Sequence, residues 1–246
     1  MPREDDLKRA RALLDGATAV AVLTGAGISA ESGIPTFRDA LTGLWEKFRP
    51  EDLATPEAFL ADPKLVWDWY AWRREQVARA LPNAGHHALV AIEDACRDRG
   101  VDFTLVTQNV DGLHELAGTR RLVELHGNIR RVKCFDHGHA VKIWPEADGV
   151  PACPHCGSLL RPDVVWFGES LPGVALTQAI AASQSCEVFL CVGTSTVVEP
   201  AASLPFMALR EGAKVIEVNP TRTPLTGRAT IAIAGSAAEV LPDLLL

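Results

Sequence analysis

A phenol and a guanidinium stand three residues apart in a tryptophan-rich stretch of the chain. The sequence WDWYAWRRE, residues 67–75, contains Tyr70, the single tyrosine of the protein, and Arg73. Residues spaced i and i+3 lie on one face of a helix, so both side chains are predicted to point the same way. An arginine can bind a carboxylate by charge-assisted hydrogen bonds, and a phenol can donate its O–H to the same group. The spacing indicates recognition of an acidic group; a pair that only stabilises local packing is the alternative.

A glycine-rich turn predicts a phosphate site. Gly25-Ala26-Gly27-Ile28-Ser29-Ala30 directly follows the apolar run TAVAVLT and fits the pattern GxGxxG/A. Glycines there let the backbone approach a pyrophosphate, while the N–H groups of a following helix face the anion. Dehydrogenases place a second strand with an acidic residue about 20 residues later, but SGIPTFRDALTGLWEKF predicts no strand. The loop favours a dinucleotide, with a ligand-free tight turn as the alternative.

Cysteines and histidines are concentrated between residues 134 and 156. Cys153 and Cys156 form a CxxC pair, and Cys134 lies upstream of it. The first residues, MPREDDLKRARALLDGA, predict a charged amphipathic helix and not a secretory signal. Without such a signal, the CxxC pair favours metal binding over disulfides. The remaining cysteines lie in apolar surroundings and are predicted to be buried: Cys96, Cys186 and Cys191.

The order of elements predicts an α/β fold, a doubly wound parallel Rossmann-like sheet with a small inserted metal-binding module. Apolar strands alternate with helices such as those predicted at 62–80 and in NAGHHALVAIEDACRDRG. Residues 131–162 lose this alternation, and RPDVVWFGE is predicted to be a strand that rejoins the main body. We therefore predict one domain, residues 1–246, with a core of 1–130 and 163–246 and a module of about 131–162.

The composition argues against two classes of partner. The chain has 246 residues, of which 48% are hydrophobic and 22% charged, and its net charge is −7. An acidic protein of this kind is a poor binder of nucleic acid or of an acidic membrane surface. No apolar run approaches the roughly 20 residues that cross a bilayer. We expect a cytoplasmic monomer with neither nucleic acid nor membrane as a partner.

Six segments, taken in order along nearly the whole chain, resemble the sirtuins, the NAD-dependent protein lysine deacylases. The segments are GAGISAESGIPTFR (25–38), TQNVDGLH (107–114), LHGN (125–128), VVWFGE (164–169), GTS (193–195) and VNP (218–220). The resemblance implies that NAD is a consumed co-substrate. Acylated-lysine proteins or peptides would be the other substrate, and the products would be nicotinamide, O-acyl-ADP-ribose and free lysine.

The same resemblance implies roles for individual residues. His126 would be the general base toward a ribose hydroxyl, which suits the unperturbed pKa of imidazole. Asn109 would also take part in the chemistry. Phe37 would shield the reactive ribose face, and Arg38 would pair with phosphate. The residues implied to bind NAD are Gly25, Ala26, Gly27, Ile28, Phe37, Arg38, Gln108, Asn109, Asp111, Gly193, Thr194, Ser195, Asn219 and Ala237.

Substrate recognition is implied in two places. In the family the VVWFGE segment pairs with the substrate peptide as an added strand, which makes Val165, Phe167 and Gly168 candidate contacts. Sirtuins of class III, which act on succinyl-, malonyl- or glutaryl-lysine, carry the YxxR pair found here as Tyr70 and Arg73, together with a small alanine. Ala54 resembles that alanine, so desuccinylation and demalonylation are expected alongside deacetylation.

The metal module departs from the family pattern. Sirtuins usually hold structural zinc with two CxxC pairs, whereas the first pair here reads Cys134-Phe-Asp-His137. Zinc accepts three cysteines and one histidine in a tetrahedral site. We predict the ligands Cys134, His137, Cys153 and Cys156. His139 or His155 as the fourth ligand, or loss of the zinc, are the alternatives.

Other activities remain open at this point. A general lysine deacetylase would show a preference for acetyl peptides in a side-by-side comparison. A mono-ADP-ribosyltransferase would leave labelled ADP-ribose on protein, and an NAD or ADP-ribose sensor would release no nicotinamide. A hydride-transferring dehydrogenase is disfavoured because the second ribose-binding strand is not predicted.

Overall fold

The computed structural model describes residues 2–34, 48–144 and 149–245. Nine strands are present in this part of the chain. Their bounds are β1 Ala19–Thr24, β2 Asp102–Thr107, β3 Leu122–Glu124, β4 Gly127–Cys134, β5 Ala140–Val141, β6 Leu160–Val164, β7 Val188–Val192, β8 Lys214–Val218 and β9 Ile231–Ile233. Six of them form a parallel sheet in the order β3-β2-β1-β7-β8-β9. All crossings between these strands except the one from β8 to β9 contain helices, which confirms the predicted α/β fold class.

The helices surround this sheet and also build a separate group beside it. Their bounds are α1 Pro2–Gly16, α2 Pro50–Leu53, α3 Pro56–Ala61, α4 Pro63–Arg79, α5 Ala84–Asp98, α6 Leu113–Ala117, α7 Gly173–Ser185, α8 Leu204–Arg210 and α9 Ala237–Val240. The predicted helix at 62–80 is α4, whose start is fixed because the Asp62 side chain accepts from the backbone N–H of Leu65 and Pro63 follows. This is the usual cap of a helix that must begin at a defined residue.

The two faces of the large sheet carry two apolar cores. Successive strand residues point to opposite faces, so Val20 and Val22 pack in one core while Ala21 and Leu23 pack in the other. Helices α1, α5 and α9 cover the first face, and α7 and α8 cover the second. All three cysteines predicted to be buried small residues lie in these cores, which confirms that prediction.

A second, antiparallel sheet has the order β5-β4-β6. The predicted strand RPDVVWFGE is therefore wrong in two respects: β6 ends at Val164, and it pairs with β4 and not with the large sheet. The reason lies in the next residues. The N–H of Trp166 donates to the carboxylate of Glu169, and the N–H of Glu169 donates to the carbonyl of Trp166. These local bonds replace the ladder bonds that a longer strand would need.

A third apolar cluster joins the small sheet to helices α2, α3 and α4. Its buried members include Ala54, Phe59, Tyr70 and Trp166. The cluster is aromatic, and it lies outside both cores of the large sheet, so it is the part of the fold that surrounds the YxxR pair. In the part of the chain that the structure describes, no helix has the length and apolar character needed to cross a membrane.

Candidate active site

The glycine loop after β1 lies against the loop that follows β7. The N–H of Gly27 donates to the carbonyl of Gly193 over 2.8 Å, and the N–H of Gly25 donates to that of Val192 over 3.0 Å. Gly193 has a φ of +59°, and a Cβ there would lie 2.6 Å from the N atom of Ile28. Glycine is needed because the two loops touch backbone to backbone. The helix expected directly after the loop is instead two single 3-10 turns, 26–28 and 30–32.

The loop after β2 brings two predicted residues to the same place. Asn109 donates from Nδ2 to the carbonyl of Gly25 over 3.1 Å and to Ser29 Oγ over 3.2 Å. Ser29 donates in turn to the Asp111 carboxylate over 2.8 Å. Burial raises the pKa of that carboxyl, while hydrogen bonds from the Leu113 N–H and from Ser29 act against the rise. The amide and carboxyl groups therefore form one connected set beside the glycine loop.

Gln108, Thr194 and Asn219 tie the ends of three strands together. Gln108 Nε2 donates to Thr194 Oγ1 over 3.0 Å, and Asn219 Nδ2 donates to the Thr194 carbonyl over 2.8 Å. Ser195 follows as an exposed residue, and Ala237 begins α9 after β9. Because the carboxyl ends of parallel strands meet at one edge, these loops form a single polar rim there. Ligands of open α/β sheets bind at this edge.

His126 lies between β3 and β4, half-buried beside the same rim. Its Nδ1 is 2.9 Å from the carbonyl oxygen of Gln108, which can only accept, so Nδ1 carries the proton and Nε2 has a lone pair. Burial lowers the pKa of the imidazole, and the bond to Gln108 partly offsets this. The ring is therefore neutral at pH 7 and able to take up a proton at Nε2.

Tyr70 and Arg73 lie on one face of α4, as their spacing predicts. The Arg73 guanidinium carbon is 5.5 Å from the centre of the Tyr70 ring and 4.9 Å from that of Trp69. Burial lowers the pKa of Arg73, and the interaction with Tyr70 opposes that change. The phenol is fully buried, and its oxygen accepts from Trp166 Nε1 over 3.0 Å. Tyr70 thus lies inside the aromatic cluster, and the half-buried Arg73 lies against it.

The segment after β6 connects this pair to His126. The N–H of Val165 donates to the carbonyl of His126, and that of Phe167 donates to the carbonyl of Ala54, both over 2.9 Å. Phe167 is nevertheless 45% exposed, and Gly168 follows with a φ of +84°. This short segment is therefore bonded to His126, the general-base candidate, at Val165 and to Ala54 of the aromatic cluster at Phe167.

The metal cluster corrects one predicted ligand. The side chains of Cys134, His139, Cys153 and Cys156 have potential ligand atoms that all lie within 4.8 Å of one another. His137, predicted as the fourth ligand, is not among them; it stacks on His139 with ring centres 5.4 Å apart, and its backbone N–H donates to Cys134 Sγ. A tetrahedral site with Zn–S bonds of about 2.3 Å has ligand atoms roughly 3.8 Å apart. Distances of 3.4 Å between Cys134 and Cys156 sulfurs and 3.8 Å between Cys153 Sγ and His139 Nδ1 fit structural zinc.

Two predicted residues and two unpredicted ones complete the account of the site. Phe37 and Arg38 lie outside the described residues. Ser29 was not predicted, although it stands inside the glycine motif and contacts both Asn109 and Asp111. Trp166 was not predicted either, although it stands inside VVWFGE. The available signal was a tryptophan in that segment and a single tyrosine in the chain. The sequence does not show that the two side chains meet.

The fold and site together define an α/β protein with a parallel sheet. The carboxyl-end edge of this sheet is of the kind that binds dinucleotides, with a neutral histidine beside it and a separate structural metal module. The chain belongs to the Sir2 family, whose model matches residues 25–200, more than half of the chain. It is 56% identical to a protein of Aquifex aeolicus named NAD-dependent protein deacylase, over 84% of this chain and 85% of that protein.

Solved structures of Sir2 proteins are also similar to this chain. A Sir2 homolog in complex with NAD is similar with a TM-score of 0.89 and 45% identity, covering 97% of this chain and 92% of that one. A Sir2 structure with a p53 peptide and NAD+ has a TM-score of 0.83 and 32% identity, covering 96% and 95%. The resemblance on which the site residues were assigned is thus confirmed at the level of the family.

Proposed function

We propose that this Sir2-family protein is an NAD-dependent protein lysine deacylase whose acyl pocket accepts succinyl and malonyl groups in addition to acetyl. The coarser part, NAD-dependent protein deacylation, rests on family membership and on 56% identity to an enzyme of that name. The preference for acidic acyl groups rests on one observation: the Arg73 guanidinium and the Tyr70 phenol lie side by side in an otherwise apolar cluster.

The residues at the edge of the sheet fit the binding of NAD. NAD supplies the ADP-ribose that receives the acyl group, and nicotinamide is the leaving group. Asn109, Ser29 and Asp111 form the connected polar set that would hold the carboxamide. Nε2 of His126 would accept the proton of a ribose hydroxyl, because Nδ1 is committed to the carbonyl of Gln108. The Cys3His cluster would hold zinc in a structural role, stabilising the small sheet.

The peptide would lie along the segment 165–168, as a peptide does when it extends a strand. The N–H groups of Val165 and Phe167 are already bonded within the chain. A peptide at this position would therefore be held through carbonyl acceptors. Because one side of the segment faces His126 and the other faces Ala54, an acyl-lysine entering here passes from the ribose toward the YxxR pair.

The apolar surroundings of the pair support recognition of a carboxylate. Attraction between a guanidinium and a carboxylate is much stronger in a low-dielectric site than in water. An acetyl group is neutral and gains nothing from the guanidinium, so acetyl peptides would bind without this interaction. The acyl carboxylate of succinyl- or malonyl-lysine would gain charge-assisted hydrogen bonds from Arg73 and a further one from Tyr70.

The test compares kcat/KM with NAD on one peptide carrying acetyl-, succinyl- or malonyl-lysine. We expect the wild type to prefer the acidic groups. Arg73→Met should lower kcat/KM for succinyl-lysine by at least about 30-fold, since losing one partner of a buried charge pair costs about 2 kcal/mol or more. The acetyl activity of the variant should stay within about threefold of wild type.

Arg74→Met is the matched control. Arg74 is the next residue of α4, but its guanidinium lies over the Trp67 ring, with 4.7 Å between Cζ and the ring centre. This variant should leave the ratio of succinyl to acetyl activity unchanged. A wild type that ignores succinyl-lysine, or an Arg73→Met variant that loses both activities equally, would contradict the acidic acyl preference while leaving deacylation itself intact.

A further inference from the structure

We propose that Trp166 positions Tyr70 for acyl selection: its indole N–H holds the phenol oxygen, so that the phenol proton is directed at the acyl carboxylate. This inference rests on the proposed function because it concerns the same pocket. It assigns to Trp166 a role that is exerted through Tyr70.

The first step is the hydrogen bonding of the phenol. Trp166 Nε1 donates to Tyr70 Oη over 3.0 Å, and both side chains are at most 2% exposed. A phenol oxygen that accepts one hydrogen bond still has its own proton to donate. Among the hydrogen bonds within residues 2–34, 48–144 and 149–245, the phenol oxygen accepts from Trp166 and none has the phenol O–H as its donor. A buried O–H group without an acceptor is unfavourable, and a ligand oxygen would satisfy it.

The second step is that the indole itself is fixed. The Arg161 guanidinium carbon lies 3.3 Å from the centre of the Trp166 ring. Arg161 Nη2 donates to Glu169 Oε2 and to the carbonyl of Val164, both over 2.9 Å. Glu169 also accepts from the backbone N–H of Trp166 over 2.8 Å. The Glu169 carboxylate thus holds the Trp166 backbone directly and the indole ring through the buried Arg161, which fixes the direction of the indole N–H.

The third step is the chemical consequence for the substrate. Because Trp166 can only donate, Tyr70 Oη must accept from it, and the phenol is left to act as a donor toward any ligand. A donor matches the carboxylate of a succinyl or malonyl group. The methyl group of acetyl-lysine offers no acceptor, so the orientation of the phenol has no effect on it. Trp166 should therefore influence acidic acyl groups selectively, although it lies behind Tyr70.

The experiment is a double-mutant cycle on acyl selectivity. Trp166→Phe removes the indole donor and keeps an aromatic ring against Arg161, while Tyr70→Phe removes the hydroxyl and keeps its ring. We expect Trp166→Phe to lower kcat/KM for succinyl-lysine by about 3- to 10-fold, the effect of one hydrogen bond, mainly through KM. Acetyl activity should fall by a smaller factor, so that the ratio of succinyl to acetyl kcat/KM falls. In the Tyr70→Phe background, Trp166→Phe should have no further effect on the acyl ratio.

Trp69→Phe is the matched control. Trp69 is also buried and packs edge-on against Tyr70, with ring centres 4.6 Å apart. Its Nε1 has no hydrogen-bond partner in the described part of the chain, and phenylalanine would keep an aromatic face for Arg73. This variant should change both acyl activities by the same factor. Equal loss of both activities in Trp166→Phe, or an additive loss in the double variant, would overturn the proposal.

A spectroscopic measurement separates positioning from general loss of structure. Tyr70 is the only tyrosine, so protein labelled with 13Cζ-tyrosine gives one resonance that reports the phenol. A succinyl-lysine peptide should shift this resonance in the wild type, an acetyl peptide should not, and Trp166→Phe should move it without peptide. An unmoved resonance in Trp166→Phe would overturn the positioning role alone. A wild type that prefers acetyl-lysine would overturn the proposed acyl preference and this inference together.

Discussion

A single hydrogen bond decides which ring nitrogen of His126 can take up a proton. The carbonyl of Gln108 accepts from Nδ1, so the lone pair is on Nε2, and burial keeps the ring neutral near pH 7. The connected polar set of Asn109, Ser29 and Asp111 is likewise held by hydrogen bonds between its side chains. At this scale the site is pre-organised, because these side chains are oriented by hydrogen bonds within the chain.

The proposed role of His126 as general base predicts the pH dependence of deacylation. Its pKa lies below the usual 6.5 because the imidazole is buried. The base is lost as the pH falls through this lowered pKa, so the acidic limb of the kcat/KM profile should lie below about 6.5. His126→Ala should lower activity by at least about 100-fold, the usual contribution of a general base. An acidic limb at or above pH 7 in the wild type would contradict the assignment.

The hairpin between β4 and β5 determines which histidine reaches the metal. Lys133 pairs with Ala140 in this antiparallel ladder, which places Cys134 directly opposite His139, and the N–H of Cys134 donates to the carbonyl of His139. Opposed residues on antiparallel strands project their side chains to the same face. His137 lies in the turn, before Gly138 with its φ of +67°. The ladder therefore presents His139 to the three cysteines.

The metal content of two histidine variants tests this assignment. His139→Ala should reduce bound zinc from about one ion per chain to a small fraction, and it should lower the thermal stability of the small sheet. His137→Ala is the control from the same turn and should keep its zinc, because only its backbone N–H contacts Cys134 Sγ. The measurement is zinc per chain by atomic absorption after dialysis. Retention of zinc by His139→Ala and loss by His137→Ala would reverse the assignment.

Two buried histidines lie under the active-site edge, where α5 and α6 meet the large sheet. The rings of His86 and His114 are 4.9 Å apart, and His114 Nε2 is 2.9 Å from Thr24 Oγ1. Thr24 bonds to Thr107, which accepts from the N–H of Asn109. Burial lowers the pKa of His86 to about 4 and that of His114 to about 3. Two neutral imidazoles are thus buried in the fold, and His114 is linked through Thr24 and Thr107 to the loop that carries Asn109.

The stability of the whole fold should fall in mild acid. In the unfolded chain, both histidines bind a proton as the pH falls below about 6.5. In the folded chain, His86 binds its proton only near pH 4 and His114 only near pH 3. The free energy of unfolding therefore falls as the pH falls through this window, by up to about 1.4 kcal/mol per pH unit for each histidine.

Urea unfolding of wild type and His114→Gln at pH 8, 6 and 5 tests the effect. Glutamine keeps a donor near Thr24 but does not titrate, so the variant should be less stable at pH 8 and should lose less stability between pH 6 and 5. The difference between the two slopes isolates His114 from the surface carboxylates, which titrate in both proteins. Parallel slopes would mean that His114 is not the titrating group.

Much of the fold was determined by the sequence. Short apolar runs ending in glycines predicted parallel strands, and their alternation with helices predicted the doubly wound sheet, because local periodicity and chain order constrain such folds strongly. The motifs were equally informative: glycines at 25 and 27, the TQNVDGLH segment and the YxxR spacing each depend on neighbours within a few residues. The strand predicted through VVWFGE failed because the local bonds of Glu169 outcompeted extension.

Tertiary structure alone decided the contacts between distant residues. The sequence predicted His137 as the fourth metal ligand, with His139 and His155 as alternatives; this was wrong, because the register of the β4–β5 hairpin presents His139 to the cysteines. The spacing of Tyr70 and Arg73 defined one helix face, but only the fold brought Trp166, 96 residues further on, to the phenol oxygen. Sequence periodicity shows which residues share a face of one element. Register and packing between separate elements decide which atoms meet. The hydrogen bonds of this site depend on register and packing, because they join residues that are distant in the sequence.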